Sequence, residues 1–385
     1  MNAAPSIPRQ TWLATLIAGC SFFYFLIFAQ FGFLHHLNNI ESQANLIEMA
    51  MFAMGLGGIV GSILAARKLR LPEVKSWILT GFIGCGITGA MSLLTSNIWI
   101  QIGVALGVGL SLGSLTVAIV PLLRGSLPPR RIGLWASIAV GGAYFLSNLP
   151  FIFRCAGKDH CLFGTLACCV GTLLALFIEL PILTDSSESS SPISTHKCLF
   201  QTKGVWIITV LFLGLIWLDS AAFYVIQNSD TLKASSWDTD FQLWLNAFIH
   251  LVIAILAGWA LDRGLLFSSL IIAFGLLELG AWMLQNSNAT DWGTYLYVSG
   301  VSIYSTALVA YGALAPESQD SWTIPKRAGM VFAIGGWFGS AMGIGMARDL
   351  HAIPLSFLSV ALATALTSIL VQRKLSRSAS PAIAA

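Results

Sequence analysis

Charge is what this sequence has least of. Only 10% of its 385 residues are Asp, Glu, Lys or Arg, against 56% apolar, and the mean hydropathy is +0.79. Soluble domains carry about 25% charged residues. With so few polar side chains a water-soluble fold would have nothing to cover its surface, so that class is excluded. The bases are scattered and the net charge is only +3, so no nucleic-acid partner is implied. No Gly-rich phosphate loop with its Lys and Ser/Thr is present, so nucleotide drive is unsupported and no cofactor is expected. No cluster of His and acids stands at catalytic or metal-ligand spacing, so an enzyme is not expected.

What is present is a series of long apolar runs. A membrane-spanning helix needs about 20 mostly apolar residues. Twelve such runs are predicted, at 12–34, 44–66, 77–95, 98–123, 134–153, 161–183, 205–226, 242–261, 265–285, 294–315, 329–347 and 355–372. The first is too long and too aromatic for a cleaved signal peptide. With the N-terminus placed in the cytoplasm, 16 of the 20 bases fall in cytoplasmic segments; only Arg154, Lys158, Lys233 and Arg348 fall outside. That is the positive-inside pattern, repeated over every loop. It predicts a multi-pass protein of the cytoplasmic (inner) membrane with both termini cytoplasmic.

Between runs six and seven lies TDSSESSSPISTHKCLFQTKG, Thr184 to Gly204. It is polar, Ser-rich and aperiodic, as a flexible linker is. It divides the chain into a six-helix bundle over 1–183, a linker over 184–204, a second bundle over 205–372 and a tail over 373–385. The halves repeat each other. Gly61 and Gly258 are 197 residues apart, Pro129-Arg130-Arg131-Ile132-Gly133 and Pro325-Lys326-Arg327-Ala328-Gly329 are 196 apart, and Ala139-Val140-Gly141-Gly142 and Ala333-Ile334-Gly335-Gly336 are 194 apart. Three matches in one order at nearly one offset mark a duplication.

One stretch is unusual for so apolar a chain. GWALDRG, Gly258 to Gly264, ends an apolar run on Asp262 and Arg263. With twelve runs, two repeats and this G-x-x-x-D-R-x-G loop after the second helix of a half, the chain resembles the major facilitator superfamily. The resemblance implies an all-α membrane protein of twelve helices in two pseudo-symmetric six-helix bundles, moving a small solute by alternating access. Gly258, Asp262, Arg263 and Gly264 would then form a conformational latch: Asp262 accepting from a helix N-terminus, Arg263 meeting carbonyls or lipid headgroups. The first-half copy, GSILAARKLR from Gly61 to Arg70, keeps Gly61 but has Ala65 and Ala66 in place of the Asp and Arg. A Gly-Pro pair in the fifth helix and an arginine within the fourth, frequent in the drug-proton antiporters of this superfamily, are both absent.

Ionisable groups inside a membrane are costly, so they mark function first. Asp219, in WLDSAAFY with Tyr224 nearby, lies two-thirds along the seventh run, which lines the central cavity in the resembling fold. It can bind a proton or a cationic group. His250 in the eighth run is its expected proton partner, with Asn246 one turn earlier, and Glu48 is an expected acid at the cavity mouth. Proton coupling rests on these three. Tyr297, Tyr304 and Tyr311 fall seven apart on one stripe of the tenth run. Tyr24, Phe28, Phe31 and His35 form a stripe in the first. A Tyr/Phe-lined cavity with one acid suits an organic solute with apolar surface.

Two other readings stay open. One is a copper or transition-metal importer of the same fold, from Met49, Met51, Met54, Met342, Met346 and His35-His36. The other is a non-transporting membrane receptor or scaffold. Cys155 and Cys161, in the expected outer loop, are read as a disulfide, as metal ligands with His160, or as free thiols.

Overall fold

The computed structural model describes residues 8–41, 43–179, 202–286, 290–315 and 323–353. The twelfth run, the tail and almost all of the expected linker lie outside the described residues. Within them the ordered elements are all helices. In chain order the main ones are α1 (Arg9–Ile40), α2 (Ala44–Lys68), α3 (Val74–Leu94), α4 (Ile98–Ser126), α5 (Ile132–Ser147) and α6 (Gly157–Leu176). They continue with α7 (Thr202–Gln227), α8 (Asp240–Asp262), α9 (Leu266–Asn286), α10 (Thr290–Leu314) and α11 (Ile324–Leu350). Each overlaps one of the first eleven predicted runs.

Ten of these helices are long and apolar enough to cross a bilayer. In hydrocarbon every backbone polar group needs an internal partner, which a helix supplies within itself. Their outer faces carry exposed Phe52, Ile87, Leu173 and Trp282, as lipid contact requires. The chain is a multi-pass membrane protein.

The fifth run departs from expectation. It is predicted to reach residue 153, yet α5 stops at Ser147 and a separate short helix spans Pro150–Phe153. Pro150 is the cause. It forces Leu149 into extended backbone, φ −61° and ψ 131°, because the ring clashes with a helical predecessor. Two helices also contain a wide π-type turn, Phe25–Gly32 in α1 and Val331–Phe338 in α11. Such turns shift the phase of the residues beyond them.

The helices before and after the undescribed segment meet along two seams. One is α5 against α8, the other α2 against α11, where Gly58 lies under the ring of Trp337. On α5 and α8 the backbones touch. A Cβ on Gly133 would sit 2.4 Å from the Gly258 carbonyl oxygen, and one on Gly258 would sit 2.4 Å from that of Gly133. Only glycine permits that approach. This contact lies at the end of the molecule carrying Lys68, Arg131 and Arg263, called here the basic end.

Candidate functional site

A cavity opens between the helices of the two halves. Asp219 of α7 and His250 of α8 both line it, exposed by only 4% and 5%. Two phenols of α10 hold the carboxylate. Tyr297 donates to its Oδ1 at 2.5 Å, and Tyr304 donates to its Oδ2. The seven-residue spacing of these tyrosines sets both hydroxyls on one stripe of α10, so a single carboxylate takes both. Among the described residues no Lys or Arg forms an ion pair with Asp219.

His250 is fixed from two sides. Its ring stacks on Tyr144 of α5 with centroids 4.1 Å apart and planes within 2°. Its Nδ1 meets the Ser302 hydroxyl at 2.8 Å. Ser302 already donates its proton to the Val298 carbonyl, so Nδ1 carries the hydrogen and donates. In the neutral ring Nε2 is left as an acceptor. Tyr144 in turn shares a hydrogen bond with Ser305 of α10 at 3.1 Å. Three sets of polar contacts thus converge on α10 from α7, α8 and α5.

The cavity has an aromatic cover at the end remote from the basic one. Trp237, in the short helix Asp230–Trp237, packs against Phe153 at 5.9 Å and Phe223 at 5.8 Å. Further out, two ion pairs join the halves. Arg154 contacts Asp240 at 2.7 Å, and Arg348 contacts Glu48 at 2.6 Å. The arginines are 194 residues apart and the acids 192, so the pairs are counterparts under the internal repeat.

At the basic end Asp262 sits on the N-terminus of α5. Its carboxylate accepts from the backbone N–H of Gly133 at 2.6 Å and of Leu134 at 2.9 Å. These are donors that a helix start leaves without an intrahelical partner. Gly264 ends α8 with φ 78°. Its N–H bonds the Leu261 carbonyl and the N–H of Leu265 bonds that of Ala260, which is the Schellman closure. Arg263 turns back on its own helix, over the Trp259 ring at 3.3 Å and onto the Trp259 carbonyl.

Several expected residues sit elsewhere. Glu48 is at the outer surface paired with Arg348, not at the cavity. Tyr24 and Phe28 stack on each other at 4.9 Å inside the first half, with the Tyr24 hydroxyl on the Cys85 carbonyl. Phe31, further along the same wide turn as Phe28, does line the cavity. Tyr311 packs on Phe212 rather than reaching Asp219. Tyr224 does not line the cavity. Asn246 is buried and ties α8 to the Ser236 carbonyl. Gly61 packs α2 on α4, where a Cβ would meet the Leu110 carbonyl at 2.3 Å. At the second seam Gly329 of α11 faces Ala66 instead of a carboxylate, so no equivalent of the Asp262 contact forms there.

Cys155 and Cys161 are free thiols. Among the described residues no three His, Cys, Asp or Glu side chains gather as metal ligands, and Met49 and Met342 face outward. Gln30, Tyr144, Asn148 and Trp237 line the cavity without having been singled out in the sequence.

No protein-family model and no curated protein matches the chain. Solved structures do. The human organic anion transporter MFSD10 (TETRAN) aligns with TM-score 0.61 at 13% identity, over 93% of this chain and 96% of that one. The proton:xylose symporter XylE, bound to 6-bromo-6-deoxy-D-glucose, aligns with TM-score 0.62 at 15% identity, over 95% and 94%. The nucleoside transporter NupG aligns with TM-score 0.54 at 14% identity, over 94% and 97%. At these identities the likeness speaks for architecture, and the chain has the fold of the major facilitator superfamily.

Proposed function

We propose that the chain is a secondary active transporter that moves a small solute across the cytoplasmic membrane by alternating access, coupled to protons. The observation that carries this reading is a buried carboxylate with no basic partner, in a cavity between two halves that close differently at each end. Asp219 is the proton-carrying group and His250 its acceptor across the cavity, with Tyr144 and the α10 hydroxyls between them. A lone carboxylate in a low-dielectric site favours whatever neutralises it.

The two bundles, 1–183 and 205–372, rock about this centre. The basic end is cytoplasmic, as its Lys and Arg content supports. Asp262 on α5 and the Gly133–Gly258 contact hold that end shut, while the Arg154–Asp240 and Arg348–Glu48 pairs close the other. Arg263 anchors the loop at the membrane surface. The structural neighbours, two transporters and a symporter, support the same class.

The test is flux in proteoliposomes under an imposed pH gradient. Asp219→Asn is expected to abolish uphill transport while leaving insertion and folding intact. Full uphill activity in that variant removes Asp219 from the mechanism, and inactivity of the wild type across a broad solute panel favours a scaffold instead.

A further inference from the structure

Resting on this transport reading, we propose that the solute is an organic cation: a protonated amine on a compact body with apolar and ring surface. The inference comes from counting which hydrogens around the cavity are already committed. Ser147 donates to the Tyr144 carbonyl, and Asn148 donates to the same oxygen. Tyr297 and Tyr304 donate to Asp219. His250 donates through Nδ1 to Ser302. His160 must donate through Nε2, because its partner at 2.8 Å is the Ile152 carbonyl.

What these residues leave over is acceptors. Each Asp219 oxygen has a second lone-pair site. Asn148 keeps its amide oxygen and neutral His250 its Nε2. The Nδ1 of His160 is buried with no hydrogen-bond partner, and His160 itself is fully buried and lines the cavity. Donors remain as well, in the Gln30 amide, the second Asn148 N–H and the Trp237 indole N–H, so charge decides the ligand.

Charge sharpens the choice. Among the described residues no Lys or Arg lines the cavity. An anionic solute would face the Asp219 carboxylate without compensation, at a cost that rises as water is excluded. A neutral polyol can hydrogen-bond to this wall but leaves the carboxylate's charge without a counter-charge. An ammonium brings donors only. Phe31, Phe153, Phe223 and Trp237 supply the faces for its body and for the cation itself.

A matched series on one body tests this with the purified full chain: 2-phenylethylammonium, 2-phenylethanol and 3-phenylpropionate, read by thermal shift and calorimetric titration. The ammonium is expected to bind at least tenfold more tightly than the alcohol, and the carboxylate not to bind. Asp219→Asn is expected to erase the preference, and Asp219→Glu to keep it in a variant that retains the charge. Equal or tighter binding of the alcohol or the carboxylate, or no binding of any member, overturns the proposal. Flux separates the two readings. Asp219-dependent ammonium binding without transport removes the transporter and leaves the cation site. Uphill transport of an anionic or neutral solute in its place does the reverse.

Discussion

Removing the Asp262 carboxylate is expected to release the basic end of the molecule. Asp262→Ala deletes two hydrogen bonds, to Gly133 N–H at 2.6 Å and Leu134 N–H at 2.9 Å. Hydrogen bonds to a charged group are each worth roughly 1.5–3 kcal/mol, net of water. Asp262 is only partly buried, and both N–H groups regain water once the helices part. The bottom of that range applies, giving a total of about 3 kcal/mol, or roughly a 150-fold change in the closed-to-open ratio. Asp262→Asn keeps one acceptor and no charge, so about half that energy is expected to be lost.

The assay is pulsed electron resonance between spin labels at Arg70 and Ser268, exposed positions on opposite halves at this end. The background lacks the accessible cysteines. Wild type is expected to show a dominant short distance. Asp262→Ala moves weight to a longer one, and Asp262→Asn falls between. An unchanged distribution in Asp262→Ala reduces the contact to a helix cap without a switching role.

Gly264→Ala places a β-carbon on a left-handed residue, which costs roughly 1–2 kcal/mol; thermal unfolding should drop by a few degrees, less for Gly264→Asn, and equal stability of the two would contradict the Schellman reading. Gly258→Val inserts atoms where 2.4 Å is available beside the Gly133 carbonyl, so the α5–α8 seam should fail to shut, read as faster labelling of a cysteine at the basic end; wild-type labelling would refute this. Arg348→Glu should weaken outer closure by about 0.2–1 kcal/mol, as exposed ion pairs do, and the exchange of Arg348→Glu with Glu48→Arg should restore it; distances between labels on the outer ends of α2 and α11 decide the matter.

The architecture was legible because bilayer thickness imposes one length on every spanning helix. Hydropathy therefore located the eleven main described helices, while some ends moved: Pro150 divides the fifth run, α1 runs on to Ile40 and α6 stops at Leu176. Asp219 and His250 stood out because an ionisable side chain in an apolar run has few reasons to be there. The stripe of Tyr297 and Tyr304 followed from helical periodicity, and both reach Asp219. The stripe of Tyr24 and Phe28 did not reach the cavity, because periodicity assumes 3.6 residues per turn and α1 widens at Phe25. For Glu48 the position along α2 was legible, but its partner was not, since Arg348 is 300 residues away. Tyr144 and Trp237 gave no signal, since an aromatic residue at a cavity wall and one at a lipid belt look alike in a sequence.

The two outer ion pairs follow an isologous rule, as in a twofold dimer: each half lends one acid and one arginine, and receives the same from the other. Ionic strength therefore acts on both sides of the mouth in step, and the lid has no single hinge side. The inner end breaks that rule, since Asp262 has an alanine as its counterpart. One face of the molecule thus parts as matched jaws, and the other is bolted by contacts without a mirror image, Asp262 on the α5 N-terminus and Arg124 on the Ala313 carbonyl.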